Sequence, residues 1–388
     1  SIITPNLAGL TNRMKKLCFA IATIALFLAA ACTSEKKADV PVYVWNGWND
    51  AKWGKTSDSI NVDSIRADFQ KWKSHGTVGV CIGCEDTAKV AVASKIAHEL
   101  GMEYHAWIPT MLCQGKDSTW YTVNRLGESA YDKPVYVPYY RTMDPRNPEV
   151  QQYLIDKYTT VAKIADVDFI HLDYIRYADV ILSRGLWEKY GLVMNEEYAK
   201  ADYCYCDSCV KAFKDLTGID IKAVEDPSKV AEWAQFRCDN ITALVNMICD
   251  AVHAQGKKVS SAVFPGPTSY AEKMVRQQWN KWNIDAVFPM NYNDFYLEPA
   301  EWVAKITAEE VQAVADKGIP VYSGLFICHD WEKKASIEDP EGHGLIPSEI
   351  QPTVKSVMET GAAGVCLFSA GSMTDAHWAE IEKAINLH

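Results

Sequence analysis

Positive charge is scarce in this sequence and is nowhere gathered into a run. Lysine and arginine number 39 against 50 aspartates and glutamates, a formal net charge of −11. Such a chain is repelled by phosphate backbones, which argues against nucleic acid as a partner. Long apolar runs are missing too: the uncharged stretch Leu17 to Ala31 falls short of the roughly 20 residues that a bilayer span needs. The 12 cysteines in 388 residues are too few for a disulfide-built scaffold. No glycine-rich turn follows the first strand-like segment, where Tyr43-Val44-Trp45-Asn46-Gly47 stands, so the dinucleotide-binding signature is absent. What the chain does have is a core: 48% of it is hydrophobic, with 13 Trp, 19 Tyr and 11 Phe, a composition that excludes disorder.

The amino-terminal segment has a composition of its own. Met14-Lys15-Lys16 followed by Leu17 to Ala31 reads as a secretory signal, with a basic start, an apolar middle and small residues before Cys32. Ala29-Ala30-Ala31-Cys32 resembles a bacterial lipoprotein cleavage site, although the usual leucine stands four places before the cysteine, at Leu28. The expectation is an exported protein, anchored by a lipid on Cys32 in the periplasm or at the cell surface, with the membrane touched only through that anchor. A simple signal peptide cut near Ala31 is the alternative. Residues 1–13 precede the natural-looking start at Met14, and residues 32–40 read as a polar tether.

From Val42 onward, short runs rich in Val, Ile and aromatics alternate with stretches of helical period. Strands are expected at Val42–Trp45, Val78–Ile82, Glu103–Leu112, Asp168–Tyr177, Lys258–Pro265, Asp285–Tyr292, Pro320–Ile327 and Gly364–Ala370. Helices are expected between them, among them Thr87–Leu100, Glu149–Ala165, Val230–Ala254 and Ala271–Trp282. Asn147-Pro148-Glu149 is a helix opening, with a cap residue, a first-turn proline and an acid at the positive end of the dipole. Gly76, Gly101, Gly256, Gly318 and Gly361 each close a helix before the next strand. Eight such units predict one (β/α)8 barrel over residues 41–388, with long insertions after strands three and four on the catalytic face.

Strand four reads Asp168-Phe169-Ile170-His171-Leu172-Asp173-Tyr174-Ile175-Arg176-Tyr177. Alternation puts Ile170 and Leu172 against the helices and turns His171 and Asp173 towards the barrel axis. A carboxylate at the carboxyl end of a barrel strand is costly to bury and marks a site. An ion pair between Asp173 and Arg176 that braces the loop is the competing reading.

The run Met143-Asp144-Pro145-Arg146-Asn147-Pro148-Glu149-Val150, followed by Val167-Asp168-Phe169-Ile170-His171-Leu172-Asp173-Tyr174, resembles glycosyl-hydrolase-like family 10. Matching pieces recur in order along the chain, including His98-Glu99-Leu100-Gly101-Met102, Gln278-Trp279-Asn280-Lys281-Trp282 and Phe288-Pro289-Met290-Asn291-Tyr292. The resemblance implies a barrel that acts on glycans. Two positions depart from the family pattern: Tyr174 stands where a second aspartate is frequent, and Ala178 follows Tyr177 where a proline is usual.

Glycoside cleavage generally needs two carboxyl groups. Asp173 is read as nucleophile or base, and Asp294, beyond strand six, as the acid. Barrels that cleave α-linked sugars resemble this layout. A loop cap is the other reading of Asp294. Glu85, Asp86, Asp330 and Glu332 are held in reserve. His105, Trp107 and His171 are read as sugar contacts, as are Trp45, Tyr174, Arg176, Tyr177, Asn291 and Tyr292 at strand ends, with Glu85 and Asp330 beside them. A barrel that binds glycans without cleaving them is one alternative function. A metal-dependent hydrolase such as a deacetylase, with His105, His171 and Asp173 as ligands, is another, although strand one lacks the His-x-His pair common in such barrels.

Cys204-Tyr205-Cys206-Asp207-Ser208-Cys209 offers three corners of a zinc tetrahedron. Cys113 is the expected fourth ligand, an arrangement that resembles the structural four-cysteine zinc cluster of some β-galactosidase barrels. Disulfides to Cys81 or Cys84 are the alternative. No cofactor is expected for the chemistry itself.

Overall fold

Each of the β-branched and aromatic runs forms a strand in the computed structural model, which describes residues 38–387. They are β1 (Val42–Gly47), β2 (Thr77–Gly83), β3 (Glu103–Pro109), β4 (Phe169–Asp173), β5 (Lys258–Val263), β6 (Ala286–Pro289), β7 (Tyr322–Phe326) and β8 (Gly364–Phe368). Neighbours in sequence pair in parallel, and β1 pairs with both β2 and β8. Parallel bridges Val287–Val321 and Met290–Gly324 bring β6 against β7. The result is a (β/α)8 barrel. The signal and lipidation readings, Cys32 included, lie outside the described residues.

Around the strands run α1 (Val62–Ser74), α2 (Thr87–Glu99), α3 (Pro148–Ala162), α4 (Asp207–Thr217), α5 (Ala231–His253), α6 (Trp302–Ala313), α7 (Pro347–Glu359) and α8 (Asp375–Ala384). The opening of α3 shows the local logic: the Asn147 side chain accepts from the N–H groups of Glu149 and Val150 with Pro148 in the first turn. Ile170 and Leu172 pack into the layer between strands and helices, with Val80, Ile82, Ala106 and Ile108. The opposite faces fill the barrel with Tyr43, Trp45, Phe169 and Phe288.

One expected helix is broken up. Residues 271–282 form only the short turn Glu272–Val275 and a 3-10 turn at Trp279–Lys281, separated by Arg276 at φ 62°. Tertiary demand explains it. Buried Gln277 accepts from the Phe264 N–H and donates to the Ile175 carbonyl, satisfying backbone groups of two strand exits. Strand four also stops early, at Asp173, because Tyr174 takes φ 48°.

A buried carboxyl on the outside of the barrel has a measurable consequence. Burial pushes Glu310 up to about 8, against the bonds donated by Asn291 and the Gly266 N–H. Between about pH 4.5 and 8 the folded chain holds a proton that the unfolded chain has released, so stability falls as pH rises through that window. Melting temperatures of the wild type should therefore drop relative to those of Glu310→Gln over this range. Parallel curves for the two proteins would refute the assignment.

Candidate functional site

The upper end of the barrel opens into a cavity of about 440 Å³. Its base is set by strand ends: Trp45 on β1, Trp107 on β3, Asp173 on β4 and Phe368 on β8, with Met290 and Tyr292 just beyond β6. Its walls are the two long insertions, Tyr136, Tyr139 and Tyr140 from the one after β3 and Tyr174 to Tyr190 from the one after β4. Aromatic rings predominate, which suits the flat apolar faces of sugar rings.

Asp173 lies at the bottom, 7% exposed. Its Oδ2 accepts from the Trp107 indole at 2.9 Å and its Oδ1 from the Tyr174 N–H at 2.7 Å. The positive φ of Tyr174 aims that N–H at the carboxylate, a strained conformation for a bulky residue. Burial raises the Asp173 pKa; the two N–H donors and the nearby Arg176 work against that rise. The bracing pair of the competing reading, between Asp173 and Arg176, does not form. Arg176 pairs instead with Asp179 at 2.6 Å and lies over the rings of Tyr140, Tyr174 and Phe264. Asp173 is left facing the cavity.

Several expected contacts are elsewhere. Asp294 is turned away from the cavity: its Oδ2 pairs with Lys334 at 2.9 Å and accepts from the Gly344 N–H. The 3-10 turn that carries it, Asn293–Tyr296, is instead pressed against Gly185, where an added Cβ would meet the Asp294 carbonyl oxygen at 2.8 Å. Glu85 pairs with Lys157 on α3, Asp86 caps α2, and Asp330 is exposed beside a different surface hollow. Tyr177 is buried against Asn240, and Asn291 is buried against Glu310 and Ser323. Tyr136, Tyr139, Tyr140, Asp179, Tyr190 and Glu341, which line the cavity, were not singled out from sequence. The signal was there for three of them: Tyr131, Tyr136, Tyr139 and Tyr140 crowd one short segment.

The two histidines are not sugar contacts either. Both are sealed inside the barrel, at 1% and 0% exposure, beneath the cavity. An indole N–H can only donate, so Trp45 makes His171 Nε2 an acceptor, at 2.9 Å. Burial, with His105 nearby, holds the His171 pKa well below 6.5, so the ring is neutral. Its Nδ1–H then donates to Ser260 Oγ at 2.8 Å, and Ser260 Oγ lies 2.7 Å from His105 Nδ1. The chain ends on Glu103, which accepts from His105 Nε2–H and from the Tyr43 hydroxyl. Burial works upward on Glu103, but these bonds outweigh it and hold the carboxyl below its ordinary value. Cys81, His105 and His171 are mutually close, but Asp173 is not part of that group, so the ligand set of a metal-dependent hydrolase is not assembled here.

The cysteine run is brought together as expected, with a different companion. Cys204, Cys206 and Cys209 gather with Asp144. Cys113, the expected fourth ligand, instead contacts the Tyr153 hydroxyl at 3.7 Å, because the chain beyond β3 turns it towards α3. All ten described cysteines, Cys81 and Cys84 included, are free thiols. Burial, with Cys206 beside it, pushes Asp144 up to about 7.

A sequence profile described as Glycosyl hydrolase-like 10 matches residues 85–327, more than half of the sequence. The chain belongs to this family. No curated protein sequence matches it. Among solved structures, the catalytic domain of a β-amylase from Paenibacillus polymyxa is similar at 12% identity and TM-score 0.58, over 90% of this chain and 98% of that one. A class V chitinase from Pseudomonas fluorescens Pf-5 is similar at 10% identity and TM-score 0.50, over 89% and 99%. At these identities the likeness is one of fold.

The relay beneath the cavity yields a test. Ser260→Ala leaves the Nδ1 groups of both histidines without partners, which should cost about 1–3 kcal/mol for each orphaned group. Urea unfolding would show it as a lowered midpoint with an unchanged slope. A variant as stable as the wild type would mean that the relay is not formed.

Proposed function

We propose that this barrel hydrolyses glycosidic bonds, with Asp173 as nucleophile or base. The observation that carries the reading is the position of Asp173: a carboxylate on the end of β4, held from both sides by N–H donors, at the base of an aromatic cavity. Barrel enzymes work at this face. Family membership supports a glycan as substrate.

No second carboxyl is assigned: Asp179 and Glu341, which also line the cavity, are each held by a cation, Arg176 and Lys189. Asp294, the acid expected from chain order, is occupied by Lys334. In this scheme Asp173 attacks, or activates water towards, the anomeric carbon, and water supplies the proton to the departing oxygen. The reading includes export on the strength of the signal-like segment before Cys32.

A second reading, glycan binding without cleavage, draws on a specific observation. Asp179, Asp294 and Glu341 are each held by a cation: Arg176, Lys334 and Lys189. It predicts saturable binding of an oligosaccharide and no product on long incubation.

Screening a panel of oligosaccharides for released reducing ends separates the two. Asp173→Asn should reduce turnover by orders of magnitude with an unchanged circular dichroism spectrum, and full activity would defeat the assignment. Asp294→Asn should stay within a few-fold of the wild type. A nucleophile must be ionised, so burial of Asp173 should place the acidic limb of the rate profile above the ordinary aspartate value of 3.8. A limb at or below that value would remove Asp173 from the role.

A further inference from the structure

Asp144 sits just before α3, and Cys204, Cys206 and Cys209 sit where the β4 insertion enters α4. One potential ligand atom from each lies within 4.8 Å of all the others. Asp144, Cys204 and Cys209 are buried and Cys206 is half-buried. Asp144 Oδ2 is 3.5 Å from Cys206 Sγ and 3.7 Å from Cys209 Sγ. A tetrahedral zinc ion with Zn–S of about 2.3 Å and Zn–O of about 2.0–2.2 Å requires sulfur–oxygen separations of about 3.5–3.7 Å. A disulfide would require two sulfurs at about 2 Å, and all three cysteines are free thiols.

The charge balance points the same way. Asp144 accepts from the Arg146 backbone N–H, but the Arg146 guanidinium turns off to Asn240 and the face of Phe236. A buried carboxylate among three thiols then wants a cation. Outer donors suited to thiolates are in place: the Val123 N–H reaches Cys204 Sγ at 3.4 Å, and Ser208 Oγ lies 3.3 Å from Cys206 Sγ. Soft sulfur ligands in a closed tetrahedron select zinc over harder cations.

We propose that Cys204, Cys206, Cys209 and Asp144 form a structural zinc site that clasps together the two insertions walling the cavity. Each insertion is anchored at its base by a barrel strand, and the metal ties them again at their far ends. The clasp is independent of what the cavity binds or cleaves.

Elemental analysis of the full chain, produced with zinc and dialysed, should find one zinc per chain. Cys206→Ser and Cys209→Ser should lose it, Asp144→Asn should hold it about tenfold or more weakly against a competing chelator, and Cys113→Ser should retain it unchanged. Cobalt-substituted wild type should show thiolate charge-transfer bands with the intense visible spectrum of a tetrahedral ion, and X-ray absorption should count three sulfurs and one oxygen. This keeps the test decisive if the cysteine variants fail to fold. Wild type without stoichiometric metal would overturn the proposal, as would metal loss in Cys113→Ser or a four-sulfur ligand set.

Discussion

The interior of a closed parallel barrel is a place where a polar side chain must bring its own partner, because water is excluded and the strand backbones are already paired. The relay from Trp45 through His171, Ser260 and His105 to Glu103 meets that demand with one consistent set of donors. It fixes the Trp45 indole, whose outer surface is part of the cavity base. Trp107, on β3, is fixed by Asp173 itself. The cavity base is therefore positioned from below by hydrogen bonds.

Above this base the cavity is made by chain outside the regular βα units. The β3 and β4 insertions are knitted to each other: the Tyr136 hydroxyl donates to the Asp179 carbonyl, Asn124 bridges to Tyr203, and Arg125 pairs with buried Asp202, which Arg237 on α5 also holds. Asp202 is held below its ordinary value, with burial opposing and the arginines prevailing. Buried pairs such as Arg237–Asp202 fix register more than they add stability. Their effect here is to hold a wall of tyrosines over Asp173, and the Asp144–cysteine cluster lies in the same seam. Enclosure and carboxylate thus come from separate parts of the chain, with the strand ring supplying Asp173 and two stitched insertions supplying the walls.

How much of this was legible in sequence depends on the range of the interaction involved. Strand periodicity, the Asn147 cap and the helix-closing glycines are local, and the structure shows them where the residues imply them. The inward face of β4 follows from alternation alone. The helix over 271–282 fails because the demands that Gln277 meets, at Phe264 and Ile175, come from remote chain. Asp294 fails for a similar reason: its partner Lys334 lies in the loop beyond β7. Cys113 and Asp144 bracket the same insertion, and which of them reaches the cysteine run depends on the path of that insertion through space.

The amino-acid sequence by itself determined the eight-unit barrel, the family pattern and the placing of Asp173 at a strand mouth, because these rest on periods of two and 3.6 residues and on order along the chain. The tertiary structure alone decided which polar groups meet. It sealed His105 and His171 into a relay, gave Arg176 to Asp179 and not to Asp173, turned Asp294 outward, and brought Asp144 to the thiols. Apart from the local Arg176–Asp179 pair, such choices are made by contacts between residues tens of positions apart, where burial cost and hydrogen-bond geometry, not local propensity, select the partner.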